Sequence, residues 1–237
     1  MEKALTNQNL KSPWRIGWES VKANAVPMVV LWIITAATLL AYYFVPGVAA
    51  AFEPLKRWQV ESGWLAAFLN RVFFCGILPG VFLLAVKSIR PSHPFATVIA
   101  LALWCGMWGV VCDWLYRMQC VWFGNGTGFL TLLLKAAVDQ FVFTAFLNAP
   151  ANAAFFFWLS RDFSFRRFAS ERPAGFVRRI VLPNLITNWC VGVPVIFAVY
   201  AFPQPLQVQV SGFTSAFWML VCLQIGKRSA SAKEKMV

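Results

Sequence analysis

The chain has 237 residues, 59% apolar and only 13% charged, with a mean hydropathy of +0.64. A soluble domain carries about 25% charged residues, and the apolar residues here come in long blocks, so composition excludes a soluble globular fold and also the short alternating segments of an outer-membrane barrel. The net charge of +12 lies mostly in the connections between blocks, which points to membrane topology and anionic headgroups rather than to nucleic acid.

In chain order, a 25-residue tail comes first. It contains Glu2 and Glu19 and precedes a block too long for the core of a cleavable signal. Six apolar blocks follow, over residues 26–45, 66–86, 95–116, 129–159, 180–202 and 207–226. Each is long enough to cross a hydrocarbon core of about 30 Å. Backbone groups in lipid must be bonded within the segment, which makes the blocks helices. The expected fold is an all-α, multi-pass transmembrane helical bundle of about six spans. Residues 1–25 form a cytoplasmic-side tail, 26–226 the bundle and 227–237 a basic tail. The closing Lys-Glu-Lys-Met-Val shows no lipidation or peroxisomal tripeptide.

Orientation follows from Lys and Arg. Lys56, Arg57 and Arg117 fall in one set of alternate connections. Sixteen cations fall in the other set, from Lys3, Lys11, Arg15 and Lys22 in the first tail to Lys227, Arg228, Lys233 and Lys235 in the last. The positive-inside rule then places both termini on the cytoplasmic side. Tags on both ends are expected to resist a protease added at the outer face; one cleaved and one protected tag would sink this arrangement.

Trp14, Trp18, Tyr42, Tyr43, Trp64 and Trp158 sit where interface anchors are expected. Gly76-x-x-x-Gly80 is a pattern that lets helices approach closely. The six cysteines show no metal-ligand spacing and there is one histidine, His93, so neither a metal site nor another cofactor is expected. The absence of H-E-x-x-H and G-x-S-x-G argues against an enzyme.

Ionisable residues at membrane depth are costly and mark candidate sites. Asp113 and Arg117 are four apart near the end of the third block, and Lys135 and Asp139 are four apart near the start of the fourth. Helical spacing puts each pair on one face. Residues 124–128 make a Gly-rich turn between the blocks. Three readings stand: an ion-pair clamp that closes the hairpin, the charged vestibule or gate of a polar pathway, or a proton relay. Gln140, Thr144, Asn148 and Asn152 continue a polar stripe, and Asn184, Asn188 and the face of Gln207, Ser211 and Ser215 offer others. Such residues line wet interiors or act as interhelical glue. Arg166, Arg167, Arg178 and Arg179, in the most basic connection, are candidates for anionic lipid headgroups.

Cys105-Gly106-x-x-Gly109, Trp114-Leu115-Tyr116, Lys135-x-x-x-Asp139-Gln140, Leu185-Ile186-Thr187-Asn188-Trp189, Pro194, Phe202-Pro203 and Trp218 follow one another in order. Over residues 98–228 this set resembles the family of Mpv-seventeen and the twenty-two-kilodalton peroxisomal membrane protein. The family's adjacent Trp-Tyr is split here by Leu115, and Val193 stands where a Trp often precedes the proline. The resemblance implies a small channel-like membrane protein, with Lys135, Asp139, Gln140 and Asn188 as its candidate functional residues. It implies a peroxisomal or mitochondrial inner membrane, and a bacterial inner membrane suits the sequence equally. Expected partners are the bilayer with its anionic headgroups, a small solute or ion, and a second copy of the chain. The competing expectation is a non-transporting scaffold or lipid-interacting protein.

Overall fold

The structure, a computed structural model, describes residues 12–86 and 91–234, with side chains to residue 219. Lys3, Lys11, Lys87, Arg90 and Lys235 of the topology argument lie outside the described residues.

The described residues are helical throughout, joined by short turns. The helices are α1 Pro13–Ala23, α2 Ala25–Phe44, α3 Val48–Ser62, α4 Trp64–Ala85, α5 Pro94–Phe123, α6 Phe129–Leu159, α7 Phe165–Glu171, α8 Val177–Ala201 and α9 Gln204–Glu234. Among the described residues five of them, α2, α4, α5, α6 and α8, are long and apolar enough to cross a membrane. The sixth expected span falls in α9, whose helix runs on through most of the basic tail. The first tail is not structureless: from residue 13 it is helical, started by Ser12, whose Oγ accepts from the Arg15 N–H at 3.3 Å, with Pro13 at the first position. The connection after α2 likewise holds a helix, α3. Its 15 residues give about 22 Å at 1.5 Å each, too short to span.

Three spans contain a stretch of π-helix, and each stretch ends shortly before a proline. Val72–Ile77 precedes Pro79, Val138–Asn148 precedes Pro150, and Val177–Val181 precedes Pro183. A proline ring crowds the carbonyl four residues back and offers it no N–H. Widening the upstream turn lets the helix continue without a sharp break. In α6 the Ala149 N–H reaches the Thr144 carbonyl, five residues back. In α4 the carbonyl four before Pro79 is that of Cys75, and the Cys105 thiol of α5 donates to it at 3.5 Å. Isolated hydroxyls in the spans are satisfied locally: Thr35, Thr38 and Thr97 each donate to the carbonyl four residues back, at 2.8 Å.

The chain divides into two compact units. The first comprises the chain up to Met28 together with Ala136–Pro194, and the second comprises Val29–Lys135 with the chain from Val195 onward. In the first unit α1 lies against α8. Gly17 is where the backbones meet, since a Cβ there would overlap Ile186, and Thr187 Oγ1 bonds the Gly17 carbonyl at 3.4 Å. Phe157 packs edge-on against Phe168 and Phe176, with centroids 5.5 and 5.6 Å away, and seats α7.

In the second unit α4 and α5 run antiparallel in close contact. Gly109 faces the Ala67 carbonyl, Gly76 faces the Ala102 backbone and Gly80 faces Val98. The Gly76–Gly80 pair thus works as a contact surface, met by Ala102 and Val98 of α5. Helix α9 packs against α3, α4 and α5. Its turn from α8 is locked by Gln207, whose Nε2 donates to the Phe202 carbonyl at 2.9 Å and the Tyr200 carbonyl at 3.4 Å. Those carbonyls end a helix and have no partner within it.

Candidate functional site

The second unit buries a set of polar side chains. Gln59 of α3, Asn70 of α4, Asp113 and Gln119 of α5, and Gln207, Gln209 and Ser211 of α9 are all at most 5% exposed. Four of them form one relay. Asn70 Nδ2 donates to Gln209 Oε1 (2.6 Å), Gln209 Nε2 donates to Gln59 Oε1 (2.6 Å), and Gln59 Nε2 donates to Asp113 Oδ1 (3.0 Å). Arg117 Nε closes the outer end on Asp113 Oδ2 at 2.8 Å. Every amide in the series points its N–H toward the carboxylate end. Aligned dipoles in a low dielectric strengthen one another, and the negative charge of Asp113 favours the alignment.

Beyond Asn70 the polarity continues through Arg71. Its Nη2 donates to Ser211 Oγ and its Nη1 to Ser215 Oγ, both at 2.9 Å, with Cys75 Sγ at 3.8 Å from Nη1. The two serine hydroxyls donate in turn to carbonyls of their own helix, Ser211 to Val208 and Ser215 to Ser211. They are therefore left facing Arg71 as acceptors.

At the Arg117 end the relay meets a cleft of about 550 Å³, lined by Tyr43, Arg117, Cys120, Asn125, Thr127, Phe202, Pro203, Gln204 and Pro205. Arg117 is 45% exposed there while Asp113 behind it is 5% exposed, so the guanidinium presents its remaining N–H groups outward. Behind the cleft wall Lys135 is almost fully buried, with Cys120 Sγ at 3.5 Å from Nζ and the Tyr200 ring centroid at 5.9 Å. Tyr200 OH accepts from Gln119 Nε2 at 2.7 Å.

Of the residues singled out from sequence, Asp113 and Arg117 are paired as helical spacing predicts. Lys135 is turned onto a thiol and a ring. In the first unit Asp139, Gln140 and Thr144 are buried together. Asp139 Oδ1 accepts from Gln140 Nε2 (2.8 Å) and from Thr144 Oγ1 (3.4 Å). The Asp139–Thr144 contact spans five residues rather than four because this stretch is π-helical. The Gln140 carbonyl accepts from Trp189 Nε1 at 2.8 Å, tying α6 to α8. Asn148 and Asn152 bond to each other at 2.8 Å and are half-buried, while Asn184 and Asn188 are exposed. Arg166, Arg167, Arg178 and Arg179 are all exposed, and Arg167 is held by Asp162 at 2.8 Å.

Gln59, Asn70 and Gln209 were not legible as site residues. Gln59 belongs to a connection, Asn70 is a lone amide in an apolar block, and Gln209 lies off the face of Gln207, Ser211 and Ser215. Only their meeting in three dimensions makes them a set.

Fold and buried polarity define a multi-pass α-helical integral membrane protein. No family model, curated protein or solved structure matches the chain.

Proposed function

We propose that the second unit provides a polar pathway for a small solute or ion. The observation that carries this reading is the relay from the cleft through Asp113, Gln59 and Gln209 to Asn70, with Arg71 and its bond to Ser215 next in the chain. Polar groups at membrane depth are expensive, and their concentration along one line marks a route. The order of motifs from Cys105 to Trp218, with its resemblance to the Mpv-seventeen family, supports the same reading. A bacterial inner, mitochondrial inner or peroxisomal membrane suits it.

Purified protein in planar bilayers or proteoliposomes is expected to show conductance or solute flux. Gln209→Leu, which removes the central amide, is expected to lower it while leaving insertion intact. Folded protein with no flux of any solute overturns the pathway. The relay would then be interhelical glue in a scaffold, and the exposed arginines between α6 and α8 and in the first turn of α8, Arg166, Arg178 and Arg179, would be its functional surface through anionic headgroups.

A further inference from the structure

Unlike Arg117, Arg71 has no carboxylate partner among the described residues. Its hydrogen bonds go to two hydroxyls and a thiol. Its Nε is buried and has no acceptor. Asp113, the one buried carboxylate among the described residues of this unit, is committed to Gln59 and Arg117. A guanidinium cannot shed its proton, so the charge persists wherever the side chain lies.

Nor does the side chain escape to the nearer interface. Arg71 is seven residues from the start of α4 at Trp64, yet Nη1 bonds Ser215, eleven residues from the start of α9 at Gln204. Eleven residues of helix measure about 16 Å, against a half-thickness of about 15 Å for the hydrocarbon core. A long cationic side chain normally snorkels outward; this one is held within the unit by Ser211 and Ser215 of α9. A fixed, uncompensated cation on a route through lipid repels cations and admits anions.

We propose that Arg71 is the anion site of this pathway, binding a small monovalent anion of the halide class at its unpartnered Nε–H. The proposal rests on the pathway reading for its transport consequence but not for binding. Its test therefore has two arms, both on the full chain. In detergent, chloride at fixed ionic strength is expected to raise the thermal unfolding midpoint relative to gluconate, as any ligand of the folded state does. Arg71→Gln is expected to abolish that rise and Arg71→Lys to keep part of it. In proteoliposomes under a potassium chloride gradient, the reversal potential is expected to follow chloride. Arg71→Gln is expected to reduce the anion-to-cation permeability ratio at least about tenfold.

A chloride-dependent rise without any flux keeps the site and sinks the pathway. A wild-type midpoint indifferent to chloride, or a reversal potential that follows potassium, overturns the proposal. The wild-type arms decide it even where Arg71→Gln fails to fold.

Discussion

Asp113→Ala is expected to destabilise the folded protein by about 2–3 kcal/mol, read from reversible unfolding in detergent. The carboxylate accepts from Gln59 and Arg117 at once, and removing an acceptor leaves each donor with the cost of its own desolvation. Breaking a fully buried ion pair costs about 3–5 kcal/mol. The full figure does not apply here, because Arg117 is 45% exposed and regains solvent. Gln59 is also partly covered: its Nε2 keeps a bond to the Gly63 carbonyl at 3.0 Å. Asp113→Asn is expected to cost less, about 1 kcal/mol, since one amide oxygen still accepts from Gln59 while the charge-assisted bond to Arg117 is lost. Equal costs for the two variants, or no cost for either, would show that the carboxylate does not anchor the relay.

The fold class was legible because lipid imposes a simple rule: long apolar blocks must be helices. The expected spans match the helices closely at 129–159, and elsewhere differ at the ends. The third runs on to Phe123, past Arg117 and Gln119, because those side chains bond inside the unit and the backbone has no reason to stop. Proline positions were visible, but their consequence was not. At Pro150 the preceding π-helical turns absorb the missing N–H and α6 continues to Leu159. That change of register moves side chains by about a quarter turn, so a stripe read at four-residue spacing becomes an Asp139–Thr144 contact at five.

The candidate site was half legible. Charge flagged Asp113 and Arg117, since a charge inside a span is informative wherever it occurs. Neutral amides carry no such flag. Gln59 and Asn70 earn their meaning from Gln209, which is 150 and 139 residues away in sequence. No local pattern links residues so far apart. Only its set of neutral partners distinguishes Arg71 from any other cation inside an apolar block.

The glycines of the α4–α5 contact set up a graded series with the second large effect. Gly109→Ala is expected to cost about 3 kcal/mol, the upper end for overpacking, because the added methyl meets the Ala67 carbonyl, which is backbone and has no rotamer to yield. Gly106→Ala is expected to cost less. Its methyl meets the Phe68 ring and a Val72 methyl, and both can move by small rotations. Gly126→Ala, with nothing within 4 Å of the added carbon, is expected to be silent. The Gly109 methyl would also press on Arg71 Cγ, so the same substitution is expected to loosen the Arg71 bonds to Ser211 and Ser215 and to weaken the chloride-dependent rise in unfolding midpoint. A Gly109→Ala protein that loses stability but keeps that rise would show that the helix contact and the guanidinium are energetically separate. Losing both together would show that the close approach of α4 to α5 is what holds Arg71 against α9.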